Sequence, residues 1–416
     1  MEQELYELPE GWEWKKLAEI CTVVSGTTPK TSVSEYWNGQ FNWITPAELN
    51  DTTDIIFETQ RKITEKAIRE CSLKCMPQGT VLLSSRAPIG KVAIAGQKMY
   101  CNQGFKNLIC SSSIFNKFLF YYLKSKTDYL NSLGKGTTFK EISKKIVENI
   151  YIPRPILLPE QQRIAHKLDT VLGRIGKAIS LSRENLESLN TLFASLLQQA
   201  FDPLGKAENE NLYELPEGWE WKPLAELCKF ENGDRGKNYP SRALFVNEGI
   251  PVINASNLNG KTIDLHNLNF ISEDKYNLIS NGKVRKNDLL FCLRGSLGKC
   301  ALVTNLDKGV IASSLVIVRP LERILNGYLL YYFNSSICHK FIRQYNNGAA
   351  QPNLSAHCLS KFLIPFSSLP EQRRIAHKLD VLSENIEAQK KTLQEKIDEL
   401  NNLKNSILDA AFRGQL

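Results

Sequence analysis

Histidine is scarce in this chain. Five occur in 416 residues (His166, His266, His339, His357 and His377), and none stands with cysteine or carboxylate at metal-ligand spacing. The ten cysteines are scattered: only Cys71 and Cys75 lie within four positions of one another, and no second pair exists to complete a zinc site. They read as free thiols, and no metal is expected. No GxSxG, GxxxxGK[ST] or GxGxxG loop occurs, and the lone GKG at 134–136 is too short to cradle a phosphate. The absence of any Pro-Pro pair excludes the Asn/Asp-Pro-Pro-aromatic signature of amino-directed methylases. Glu-x-Lys triplets begin at Glu13, Glu220 and Glu273, as chance provides in a chain so rich in charge. No catalytic residue can be named.

Long apolar runs are also missing. Nothing approaches the ~18 residues of a membrane span. The opening MEQELYELPEGWEW lacks the basic, apolar, small-residue order of a signal peptide. The thiols are therefore expected in a reducing cytoplasm. At 42% hydrophobic and 23% charged residues the chain reads as globular, and its length predicts more than one core.

What is present is said twice. LPEQQRIAHKLD (158–169) returns as LPEQRRIAHKLD (369–380), and YELPEGWEWK stands unchanged at 6–15 and 213–222. The net charge of +8 follows the same division. Residues 1–157 hold 20 Lys+Arg against 16 Asp+Glu, and 206–368 hold 19 against 15. Segments 158–205 and 369–416 are each balanced. A positive excess shared by two units and absent from the segments between them favours a polyanion-facing surface over mere solubility.

Each LPEQ phrase predicts a helix start, with Pro159 and Pro370 in the first turn and Glu160 and Glu371 where the dipole favours negative charge. Beyond it, Leu172, Ile175, Ile179, Ser182, Leu186, Leu189, Phe193, Leu196 and Ala200 recur at alternating steps of four and three. The second copy repeats this, with one irregular step near Ile397, through Leu382, Ile386, Gln389, Leu393, Ile397, Leu400, Leu403 and Ile407. This 3.5-residue period is a coiled-coil seam. A single helix cannot bury such a stripe alone, so the two are expected to pack on each other. Short β-rich runs (GTVLLSS, KVAIAG, DLLFCLRG, SLVIVRP) and shorter helical patterns make each remaining segment an irregular α+β domain. The expected division is 1–157, first domain; 158–205, first long helix; 206–368, second domain; 369–416, second long helix. Faint echoes join the domains: RAPIGKVAI (86–94) with RGSLGKCAL (294–302), and LGKGTTFKEIS (133–143) with NNGAAQPNLS (346–355).

Candidate contacts to a nucleic acid lie in the loops that the halves do not share. There Arg and Lys stand beside Thr, Ser, Asn, Gln, Tyr and Gly, the donors and acceptors that reach phosphates and base edges. They are Thr27, Thr28, Lys30, Trp43, Arg86, Lys106, Lys135 and Thr137 in the first domain. In the second they are Arg235, Lys237, Asn238, Tyr239, Ser256, Arg294, Ser296 and Gln351. Arg163, His166 and Lys167, repeated as Arg374, His377 and Lys378, mark the polar side of each helix start as a solvated face or a docking surface. Trp12, Trp14, Trp219 and Trp221 read as packing at the first strand of each unit.

Taken together, ELPEGWEW opening each half, SGTTPK…EYWNG…WITPAEL, the doubled LPEQ phrase and the ending LNNLKNSILDAAFRGQL resemble the specificity (S) subunit of type I restriction–modification systems over essentially the entire chain. The resemblance implies two target-recognition domains reading the halves of a bipartite, asymmetric site in double-stranded DNA. It further implies an antiparallel coiled coil under pseudo-two-fold symmetry that spaces the domains and receives two methyltransferase (M) subunits, with restriction (R) subunits completing the assembly. S-adenosylmethionine, ATP and magnesium then belong to those partners, and this chain is not itself an enzyme. Other readings are a stand-alone two-domain DNA-binding regulator, a coiled-coil scaffold, and a fused restriction enzyme against which the missing motifs argue.

Overall fold

Alternation along two central strands organises the molecule. In Val81–Ser85, Val81 and Leu83 belong to one buried core while Leu82 belongs to another. In Leu289–Cys292, Leu289 and Phe291 face one core, Leu290 and Cys292 a second. Successive side chains leave a strand on opposite sides, so an unbroken apolar run marks a sheet covered on both faces. The computed structural model describes residues 5–50, 53–86, 88–136, 140–205, 212–234, 239, 242–346 and 353–416.

Two compact units result, Met1–Ser182 with Gln394–Leu416, and Arg183–Leu393. Unit 1 contains a five-stranded sheet in the order Cys21–Ser25, Lys106–Cys110, Val81–Ser85, Ile89–Ala95, Ile55–Ile56. A three-stranded sheet runs Arg61–Ile63, Trp37–Ile44, Tyr100–Cys101. Unit 2 repeats the plan with Cys228–Asn232, Leu315–Pro320, Leu289–Cys292, Cys300–Leu302 in one sheet. Its second sheet orders Asn269–Ile271, Ile250–Ile253, Gly309–Ile311, Lys283–Val284. Each unit adds an antiparallel ribbon, Trp12–Lys16 with Tyr151–Pro155 and Glu220–Pro223 with Leu363–Phe366. This is the expected α+β class with an internal repeat.

The long helices span Leu158–Phe201 and Leu369–Phe412, 44 residues each, or roughly 66 Å at 1.5 Å per residue. The first ends before Asp202 and Pro203, where proline can no longer supply a helical N–H. In unit 1, Ile164, Ala165 and Leu168 from the start of the first helix share a core with Leu408, Ala411 and Phe412 from the end of the second. In unit 2, Leu197 and Phe201 share one with Ile375 and Leu379. The helices therefore run antiparallel within each unit, and their ends are also part of the domain cores. Each unit thus contains half of both helices, which the division at 157, 205 and 368 treats as separate segments. Ile175, Ile179, Ser182, Ile386 and Ile397 of the seam are buried, whereas Gln389 and Leu403 are exposed. Among the described residues no helix is long and apolar enough to cross a membrane.

Candidate nucleic-acid interface and docking face

Both repeated phrases are fasteners. The Tyr6 hydroxyl donates to the Phe412 carbonyl at 2.6 Å, and Tyr213 donates to that of Phe201 at 2.5 Å. Trp14 Nε1 in turn donates to the Tyr6 carbonyl (3.1 Å) and Trp221 Nε1 to that of Tyr213 (3.0 Å), so each phrase grips the last turn of a long helix. Burial pushes the Tyr6 phenol up to about 12, keeping it a donor across the neutral range. Inside the LPEQ phrase, buried Gln161 accepts from Phe115 N (2.8 Å) and donates to the Ser113 (3.1 Å) and Pro155 (2.9 Å) carbonyls. Gln372 repeats this with Leu325 N, Arg323 and Ser367 at 2.9, 3.2 and 2.8 Å. Asp169 accepts from Tyr121 (2.5 Å) and Asp380 from Tyr331 (2.6 Å). Glutamine and aspartate in a polar-looking helix start gave no sign of this. The signal available was their exact recurrence.

His166, Lys167, His377 and Lys378 are exposed. Arg163 forms a two-pronged pair with Glu160 at 2.8 and 2.7 Å and also donates to the Leu416 carbonyl at 2.5 Å. Arg374 pairs with Glu371 at 2.8 and 2.6 Å. These hydrogen bonds hold the Glu160 and Glu371 carboxyls below their usual range.

The candidate reading loops of unit 1 gather beyond one end of the five-stranded sheet. Strand Cys21–Ser25 runs into Gly26, where an ideal Cβ would fall 1.9 Å from the Asn102 carbonyl oxygen, so only glycine fits. Thr27 N then donates to the Cys101 carbonyl at 2.9 Å, and the Thr28 hydroxyl bonds Gln103. Thr27 and Lys30 are exposed. Arg86, half-buried, is the first residue beyond strand Val81–Ser85 and bridges Glu141, which also bridges exposed Lys135. In unit 2, exposed Arg294 bridges Asn353 in the same way, and Ser296 beside it is exposed. The backbone agrees: Ile142 N donates to the Ser85 carbonyl (3.0 Å) and Leu354 N to that of Leu293 (2.9 Å). The faint echo between the two Arg loops is thus a structural equivalence.

Two candidates are buried, and a third is engaged within its own loop. Trp43 is 1% exposed; its Nε1 donates to the Thr27 carbonyl at 3.2 Å and its ring meets Trp37 edge-on at 5.0 Å. It shapes the Thr27 loop from beneath, because an indole in a sheet with apolar neighbours gains most by burial. Lys106 is 6% exposed, with Nζ 3.0 Å from Glu141 Oε1 and 3.2 Å from Ser85 Oγ. It is a paired ammonium tying the Glu141 strand to the sheet. The Ser256 hydroxyl lies 2.5 Å from Asn254 Oδ1 within a cap, although the residue is exposed. Tyr239 is half-buried. Thr137, Arg235, Lys237, Asn238 and Gln351 lie outside the described residues. One cation escaped the sequence reading: exposed Arg61, whose guanidinium lies 3.7 Å from the Trp37 ring centroid and 5.1 Å from that of Trp43, beside the Thr27–Lys30 loop. Nothing in a short strand betrays such stacking.

Two like units, each carrying an arginine loop at one end of its sheet and half of both long helices, define an internally repeated two-domain protein. Residues 9–184 and 216–399 match the family model described as type I restriction modification DNA specificity domain, and the chain belongs to that family. It is 36% identical over 283 residues to the type I restriction enzyme MjaIX specificity subunit of Methanocaldococcus jannaschii, a match spanning 65% of this chain and 63% of that relative. It is 25% identical over 419 residues to the MjaVIII specificity subunit of the same organism, spanning 98% and 94%. Among solved structures, a chain from work on assembly and conformational transition of the type I R-M system is similar at a TM-score of 0.80 and 24% identity, covering 99% of this chain and all of that one. The HsdS subunit from Thermoanaerobacter tengcongensis follows at 0.56 and 23%, covering 99% of each. These two likenesses concern the fold.

Proposed function

We propose that this specificity subunit reads a bipartite, asymmetric site in double-stranded DNA, one half with each unit, and seats methyltransferase subunits on the helix starts at Arg163–Lys167 and Arg374–Lys378. Restriction subunits join that assembly. The observation that carries the reading is the equivalent placement of Arg86 and Arg294 at matching strand ends, within loops whose remaining text differs. Equivalent cations supply a phosphate or guanine contact to each unit, and divergent neighbours give the two units different letters. The chain contributes recognition without catalysis. S-adenosylmethionine, ATP and magnesium are brought by the partners.

Adenine methylation mapped across the genome with and without the gene tests this. The expected outcome is loss of one motif of two unlike halves separated by an unspecific gap. Purified chain given S-adenosylmethionine and that DNA should leave adenine unmodified. A methylome unchanged by the deletion, or turnover by the chain alone, would refute the proposal.

A further inference from the structure

The two docking faces carry one wording but present different surfaces. In unit 1 the backbone after Phe412 packs on the opening phrase: an ideal Cβ at Gly414 would fall 2.3 Å from Pro9 Cγ and 3.3 Å from Trp12 Cε2, and its φ is +73°. Glycine is required there on both counts. Two residues on, Leu416 packs against the core that contains Ile164 and Leu168, and its carbonyl accepts from Arg163. Residues 413–416 therefore occupy the groove between the opening phrase and the start of the first long helix.

The counterparts in unit 2 of Pro9, Trp12, Arg163, Ile164, Lys167 and Leu168 are Pro216, Trp219, Arg374, Ile375, Lys378 and Leu379, by the register of the repeated phrases. Here the chain beyond Phe201 continues as Asp202-Pro203-Leu204-Gly205, and Leu204 is 45% exposed instead of packed. Among the described residues, the same six counterparts line an open cavity of about 450 Å³. That size lies within the ~300–1,000 Å³ of ordinary binding clefts. Its floor is apolar, and its rim carries Lys378 and the Arg374–Glu371 pair.

We infer that this cavity receives a polypeptide segment of a methyltransferase subunit, one presenting an aliphatic side chain next to a backbone carbonyl or carboxylate. Leu416 and its carbonyl supply that chemistry to the equivalent groove in unit 1. The aliphatic group fills the floor between Trp219 and Leu379, and the oxygen takes the place at Arg374 that the Leu416 carbonyl takes at Arg163. A second copy of this chain is a poorer occupant, because its own residues 413–416 are engaged in its own unit 1. The inference rests on the proposed function for the identity of the partner. Its consequence is that the two docking faces are unequal: unit 2 takes an inserted segment, whereas unit 1 meets its partner with the groove filled.

A photoreactive phenylalanine analogue at Leu382, which also lines the cavity, tests this in the complex of the full chain with its methyltransferase subunits. The expected result is a cross-link to a partner segment containing an aliphatic residue, mapped by mass spectrometry. Filling the cavity from within by Ala200→Phe should weaken binding of one methyltransferase subunit at least tenfold, leaving the other subunit and DNA affinity unchanged. Native mass spectrometry and a DNA-binding titration read both. A complex with two methyltransferase subunits that methylates DNA, yet gives no cross-link from Leu382 to a partner and binds equally with Ala200→Phe, overturns the pocket and leaves the proposed function standing. Failure of any methyltransferase subunit to bind the unaltered chain overturns both.

Discussion

Gln161 and Gln372 show what a repeated residue is worth. Each lies fully buried at a helix start and ties the turn before a shorter helix, through two of its backbone groups, to the chain at the end of the ribbon strand. A leucine of similar bulk would take this partner from the Phe115 or Leu325 N–H and from the Pro155 or Ser367 carbonyl, while the Ser113 carbonyl keeps its bond from Arg154 Nη1. Desolvated groups left so cost about 1–3 kcal/mol. Gln161→Leu and Gln372→Leu should each lower unfolding stability by roughly that amount, measured by the shift in the midpoint of urea unfolding. Gln162→Leu, at an exposed position one residue along, should change it by less than about 0.5 kcal/mol. Equal effects at Gln161 and Gln162 would mean that the buried network contributes nothing particular.

The arginine loops belong to the scale of the element. Arg86 is the first residue past its central strand and Arg294 the second past its own, and an isolated bridge, to Glu141 and to Asn353, holds the backbone at each. Arg86→Ala and Arg294→Ala are expected to act alike on binding and differently on sequence. If the contact is to phosphate, affinity falls for every sequence and the salt slope drops by roughly one. If it is a two-pronged guanine contact, about 1–3 kcal/mol is lost and one position relaxes, in the half-site read by that unit alone. Titration at several salt concentrations separates these outcomes. Unchanged affinity and preference in both variants would remove the two arginines from the interface. The Arg–Gly and Arg–Ala loops were legible as echoes in the sequence. Trp43 and Lys106 were not, because residue type in a loop-like stretch carries no sign of burial, and only the crossing of the Trp37–Ile44 strand and the Glu141 segment encloses them.

For the whole molecule, the helices are the interval-setting part of the proposal. Four residues added to each, after Ser182 and after Leu393 where the chain passes between units, contribute about one turn or ~6 Å. Four residues also nearly preserve the phase of the apolar stripe. The two half-sites should keep their letters while the gap between them lengthens by about two base pairs at ~3.4 Å each. Methylome sequencing of cells carrying the lengthened chain reads this directly. Altered letters at a constant gap would mean that the helices do not set the interval.

By itself the sequence determined the frame: two repeated units, two long helices with their starts and most of their seam, and the echo between the Arg loops. All of these are periodic or repeated features, and a period or a repeat is visible along a line. The tertiary structure alone decided which polar residues are buried, such as Gln161 and Lys106, and which half-buried ones, such as Tyr6 and Asp169, are tied to segments remote in the chain. It also decided that two nearly identical phrases stand in different surroundings. After Phe412 residues 413–416 fold back onto Pro9 and Trp12, whereas after Phe201 the chain is carried onward by Pro203, and the groove beside Trp219 stays open.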